Sequence, residues 1–159
     1  MLWPDHGTAG SWGPRCVTPE ALGRELRARA SSLTRLAFAE AAFPSLDQAR
    51  EARLAVSEDG RTLEEVAAGA GTAVAERVAF PEELPDATRS LLFSAPPGVP
   101  LAPEEAGEAF VVRVLRSRVE PDLADPAVAA RVRERLTAAH FDALVERHVS
   151  WSFDPWTVP

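Results

Sequence analysis

The chain reads as an α+β protein, and three stretches carry that expectation. Phe110 to Leu115 is the clearest strand: five of its six residues are apolar and four are β-branched or aromatic, types that suit a pleated, half-buried surface. Two helices announce themselves by a capping residue followed by proline at the first helical position, Thr18-Pro19 and Asp125-Pro126. Between them, short segments of helical and extended pattern alternate, punctuated by Gly and Pro.

Met1 to Val17 is rich in Gly, Pro and Ser, with Trp3 and Trp12 as its large anchors, and reads as a flexible lead. From Thr18 a helix places Leu22, Leu26 and Ala30 on one stripe and Arg24, Arg27 and Arg29 on other faces. Leu33 to Phe43 combines Ala with apolar residues. It is read as a strand because Ser31-Ser32 and Pro44 separate it from its neighbours. Ser45 opens the next helix, with Gln48 in the capping-box position, and Glu58-Asp59-Gly60 closes it. Thr62 and Glu65 form a T-x-x-E box on a second, short helix that Gly69 and Gly71 stop. Thr72 to Phe80 is a short β-prone run, and Pro85-Asp86 starts a third helix through Phe93.

Pro96, Pro97, Gly98, Pro100 and Pro103 forbid a helix after it. They leave room for an edge strand at Val99 to Pro103, with a bend near Glu105 to Gly107 before the strong strand. In that strand Phe110, Val112 and Val114 share one face; Val111, Arg113 and Leu115 share the other. The last helix runs to about Val149 and is apolar on two sides. Val128, Val132, Leu136, Ala139 and Ala143 form one stripe; Phe141, Val145 and Val149 form another. Such a helix packs against more than one neighbour or against a partner chain. A tail with Trp151, Phe153 and Trp156 follows.

At 159 residues, 46% hydrophobic and 26% charged, the chain can bury a real core. Its net charge of −7 removes the electrostatic basis for a nucleic-acid or anionic-membrane partner. Cys16 is the one cysteine, so an internal disulfide is excluded. Met1 to Cys16 lacks a basic stretch followed by an apolar run, and no window approaches a membrane span. A cytoplasmic location is therefore expected. Neither a metal nor a cofactor is expected. His140 and His148 lie about 80° apart around one helix, too far round to share an i, i+4 metal face. His6 reads as a solvated loop residue. Gly69-Ala70-Gly71 follows a helix rather than opening one, which removes it as a phosphate cradle. The adjacent acids Glu82-Glu83 and Glu104-Glu105 read as solvated loop residues, and Cys16 has no paired base nearby in sequence.

The order strand, helix, short helix, short strand, helix, proline-rich edge strand, central strand over Leu33 to Glu120 resembles the parvulin (PpiC-type) family of peptidyl-prolyl cis-trans isomerases. TLEEVAAGAG is similar to that family's short second helix. LLFSAPPGVPLAP resembles its loop before the edge strand, with Phe93, Gly98 and Pro103 in the matching places, and EAFVVRV resembles its last strand. The resemblance implies a small antiparallel sheet with covering helices over 33–120, preceded by a lead and helix over 1–32 and followed by a helix and Trp-rich tail over 121–159. It also implies a proline-binding cleft lined by Phe93, Phe110, Val112, Phe38, Leu101 and Val99. The plainer reading of these side chains is sheet-and-helix core.

The departures from the family concern catalysis. TRLAFAE lacks the first-strand His, Phe110 stands where a second His is usual, and Glu76 is the only acid where a Cys or Asp is usual. The resemblance thus implies a peptide-binding, chaperone or peptide-maturation accessory protein with rotamase activity weak or lost, its partner a proline-containing peptide or unfolded segment. An active isomerase is the first alternative. The second is an interaction module that forms a homo-oligomer through the C-terminal helix.

Overall fold

The structure, a computed structural model, describes residues 16–148. The expectations for His6, Trp3, Trp12, Val149, Trp151, Phe153 and Trp156 lie outside the described residues. The elements in order are α1 (Pro19–Ala28), α2 (Ala30–Leu33), β1 (Arg35–Phe43), α3 (Leu46–Ser57), α4 (Leu63–Gly69), β2 (Val74–Ala79), α5 (Asp86–Ser94), β3 (Glu104–Ala106), β4 (Ala109–Val119) and α6 (Pro126–His148), with a 3-10 turn over Pro81–Glu83. The fold is α+β, with a four-stranded antiparallel sheet in the order β2-β1-β4-β3. Within the described residues, 29–121 form one compact unit and 16–28 with 122–148 form another.

Capping chemistry sets the helix boundaries. The Ser45 side chain accepts the Gln48 N–H at 3.3 Å. Thr62 and Glu65 complete a reciprocal capping box at 3.2 and 3.0 Å, satisfying donors that a helix start otherwise leaves open. Gly69 is the last residue of α4. Gly71, at φ +73°, makes the reversal into β2 in the left-handed region that glycine enters without steric cost. In the smaller unit α1 lies against α6. Thr18 Oγ1 accepts the Ala21 N–H, and Asp125 Oδ1 accepts the Ala127 N–H at 2.9 Å.

β1 and β4 are central strands with both faces covered. Ala39, Ala41 and Phe43 of β1 join Val112 and Val114 of β4 against Ala49 and Ala52 of α3 and Leu63, Val66 and Ala67 of α4. On the other face Leu36, Phe38 and Leu115 pack against Leu92 and Ala95 of α5. A bulge separates the two registers of β4: Ala37 faces Ser117 while Phe38 faces Leu115, leaving Arg116 without a partner in β1. Arg116 turns to the α3/α4 face and pairs with Glu64 of α4 and Glu76 of β2.

The edge strand is displaced from its expected place. Val99 to Pro103 forms only an isolated bridge, Pro100 to Val114, and β3 is Glu104–Ala106. Prolines at 100 and 103 have no N–H to give a ladder, whereas Glu104, Glu105 and Ala106 do. The hairpin reversal consequently falls at Gly107, whose φ is +66°. The proline-rich segment is still tied to the sheet, because Gly98 N–H donates to Leu115 O and Leu101 N–H donates to Arg113 O, both at 2.8 Å.

Thr62→Ala is expected to lower stability by about 1 kcal/mol through the lost cap. Leu115→Ala, at a fully buried site, is expected to cost about 2–5 kcal/mol. Urea denaturation measures both as lowered midpoints at unchanged slope.

Candidate functional site

A charge inside a central strand must find a partner or remain in water. Glu40 interrupts the apolar run of β1, and Arg113 interrupts that of β4. The two are directly opposed across the strands, both on the face covered by α5. Arg113 Nε donates to Glu40 Oε2 at 3.1 Å, and Arg77 of β2 donates to Glu40 Oε1 at 2.7 Å. On the other side Arg113 Nη1 pairs with Glu104 of β3, and Thr88 Oγ1 of α5 donates to Glu104 Oε2 at 3.0 Å.

Each strand thus contributes one charged group, and the signs alternate across the whole sheet: Arg77, Glu40, Arg113, Glu104. The side chains of Arg113, Glu40 and Glu104 are 15%, 18% and 23% exposed, and that of Arg77 is 61% exposed. The inner three are therefore worth more than ordinary surface pairs, while the Arg77 contact is screened by solvent. Both Glu40 oxygens accept an arginine N–H, Glu104 Oε2 accepts from Arg113, and the Thr88 hydroxyl, with one proton to give, lies 3.0 and 3.3 Å from the two Glu104 oxygens. The ladder is charge-neutral, and both of its carboxylates are held by donors from neighbouring elements.

This network corrects one sequence reading. Glu104 is not a solvated loop acid: it lies in β3, and its carboxylate is held by Arg113 and Thr88. Glu105 is exposed as expected. In the other acidic pair, Glu83 Oε2 accepts the Phe80 N–H at 2.9 Å. The polar groups of the ladder could have been suspected from charges embedded in β-prone runs, Glu40 in RLAFAEAAF and Arg113 in AFVVRVL. Their convergence with residues 77, 88 and 104 depends on strand order and register.

The six residues expected to line a cleft do not share one surface. Val112 is fully buried, and Phe110 packs beside it on the α3/α4 face. Phe38 is buried on the opposite face, with Leu101 against the same cluster. Leu92 and Leu101 both pack there, so the α5 face is filled at that point rather than open. Phe93 and Val99 point outward, 37% and 46% exposed, and Leu91 is similarly uncovered. Leu91 and Phe93 flank the buried Leu92 on opposite sides of α5, about 160° apart around its axis, and Val99 lies in the loop that follows. The end of α5 is held firmly, because the Arg118 guanidinium donates to the carbonyls of Phe93 and Ala95 at 2.7 and 3.0 Å, satisfying acceptors that a helix end leaves unpaired. Glu76, the acid at the position of interest in β2, lies opposite Ala39 on the α3/α4 face, away from the ladder.

Among the described residues no cluster of His, Cys, Asp and Glu could hold a metal ion, and no helix is long and apolar enough to cross a membrane.

Glu40→Gln leaves Arg113 and Arg77 short of a charged acceptor, and a loss of about 1–3 kcal/mol is expected. Arg77→Gln, at the exposed end, should cost less than about 1 kcal/mol. Equal losses from the two, measured by denaturation, would contradict the graded ladder.

Comparison with protein-family models, with curated proteins and with solved structures finds no match to this chain.

Proposed function

We propose that residues 29–121 form a parvulin-like peptide-binding module of the chaperone or peptide-maturation kind, whose rotamase activity is weak or lost. The order of elements from β1 to β4 supports the reading, since it is the order on which the sequence resemblance rests. The observation that carries the binding half is the exposure of three large apolar side chains, Leu91, Phe93 and Val99, around the end of α5 and next in sequence to Pro96 and Pro97. Apolar side chains concentrated on a firmly anchored helix end offer a proline ring or an aliphatic side chain a surface to cover.

The observation that carries the catalytic half is the self-satisfied ladder. Prolyl isomerisation crosses a barrier of about 18–20 kcal/mol. Lowering it requires groups that hold the twisted amide better than the planar one. Here the polar groups of the α5 face are spent on one another.

A protease-coupled isomerisation assay on X-Pro peptides is expected to show no turnover above the uncatalysed rate. Calorimetry with the same peptides should show saturable binding. Phe93→Ser with Val99→Ser, both at exposed positions, should weaken that binding about tenfold or more while leaving the melting temperature in place. Phe110→His should not install turnover, because residue 110 packs on the face opposite the ladder. Turnover by the natural protein would sink the weak-or-lost reading and favour an active isomerase.

A second reading draws on α6. Its first two turns bury Val128, Ala129 and Val132, whereas Phe141 and Val145 are more than half exposed. Self-association through this apolar stretch predicts a concentration-dependent mass in sedimentation equilibrium that Phe141→Glu with Val145→Glu abolishes. A monomer at all concentrations would remove this reading.

A further inference from the structure

The α3/α4 side of the sheet carries a feature that the reading above does not use. Between α3 and α4 lies an open groove of about 480 Å³, within the range of sites that hold small ligands or short peptide segments. Its floor is apolar: Phe43, Ala52 and Val66, all buried in the body of the unit, are reached through it. The groove exists because the facing residues are small. Ala55 on α3 and Gly69 with Ala70 at the end of α4 leave the gap that larger side chains would close. Leu54, more than half exposed, stands on the rim.

The charge around this apolar floor is mostly negative. Glu51 and Asp59 line the groove, and among the described residues no ion pair or hydrogen bond engages either carboxylate. The C-terminal ends of both helices, whose backbone dipoles are negative there, also border it. The one basic lining residue, Arg61, lies along the α4 wall, its guanidinium beside Gly69 and donating to the Glu65 carbonyl at 3.4 Å, which leaves two carboxylates against one cation around the groove. An apolar floor with two unpaired carboxylates along its α3 side is complementary to a segment that carries bulky aliphatic side chains next to basic ones.

The geometry points to a second binding site here, in the α3/α4 groove, for a basic peptide segment with aliphatic side chains. The site is independent of Leu91, Phe93 and Val99, which lie beyond the opposite face of the sheet. The aliphatic groups enter over Phe43, Ala52 and Val66, and the cations meet Glu51 and Asp59. A purely acidic segment is rejected by the same two carboxylates.

Gly69 offers a clean way to close the groove. Its backbone is not in the left-handed region, and an added Cβ would meet only the tip of Arg61 at 3.9 Å. Gly69→Leu therefore starts from an unstrained backbone and an uncrowded Cβ, sets a bulky side chain on the groove wall, and replaces a poor helix former by a good one. The probe is a blocked pentapeptide alternating leucine with arginine, titrated into the full chain and followed by amide chemical shifts. Saturable shifts are expected at Leu54, Ala55, Gly69 and Ala70. Gly69→Leu should abolish them at unchanged or raised melting temperature. Glu51→Gln with Asp59→Asn should weaken binding roughly two- to thirtyfold, the range for two exposed ion pairs. Phe93→Ser with Val99→Ser should leave it as it was, which separates this site from the peptide-binding residues proposed above. The inference is overturned if the shifts fall at Leu91, Phe93 and Val99 instead, or if none saturate. It is equally overturned if a leucine–glutamate peptide binds as well as the leucine–arginine one.

Discussion

The pairing of Glu40 with Arg113 is the contact on which the rest of the sheet depends. β1 and β4 are the two inner strands, and each is covered on both faces, so a charge on either must be matched across the strand gap or remain uncompensated. Direct opposition of Glu40 and Arg113 does this in one register only. A slip of one residue would set Glu40 against an apolar neighbour and turn Arg113 toward the Ala39 and Ala41 cluster. The pair therefore acts as a register lock as well as an ion pair. Arg77 and Glu104 extend it to the edge strands, where solvent takes over part of the compensation.

The bulge at Arg116 divides the labour between the two faces. Toward α3 and α4 the sheet presents small and β-branched residues, Ala39, Ala41, Val112 and Val114, against the alanines of two closely approaching helices. Toward α5 it presents larger side chains at one end, Leu36, Phe38 and Leu115, and the charged ladder at the other. Arg116 keeps to the α3/α4 face, where it ties α4 to β2 through Glu64 and Glu76, and the inserted residue shifts the alternation beyond it, so that Arg118, opposite Leu36, reaches the α5 face and holds the Phe93 and Ala95 carbonyls. Without that shift Arg118 would point to the α3/α4 face and the end of α5 would lose its guanidinium cap.

This division has functional weight. An isomerase site needs polar groups that are free to follow the amide as it twists, and the α5 face holds its polar groups in mutual contacts. What the molecule leaves uncommitted is apolar and peripheral: Leu91, Phe93 and Val99, the distal turns of α6, and the floor of the α3/α4 groove. It is on these surfaces that the proposed recognition of a peptide rests.

Local chemistry made much of the fold legible in the chain itself. The caps at Thr18, Ser45, Thr62 and Asp125, the glycine turn at Gly71 and the β-branched run of β4 act over a few residues, and each produced the expected element. The two faces of β4 also followed from alternation alone, since Val112 and Val114 separate from Leu115 as the period of two requires. The edge strand moved because two effects competed over Val99 to Ala106, extended propensity against missing N–H donors, and hydrogen bonding prevailed. The site was the least legible part. Phe38 and Val112 look like cleft residues in one dimension, but strand pairing seals them on opposite faces. Glu104 looks like a surface acid until β3 brings it beside Arg113. Composition and spacing determine which elements form. Which side chains meet, which remain exposed and which charges cancel depends on strand order, register and one inserted residue, and these are properties of the assembled sheet.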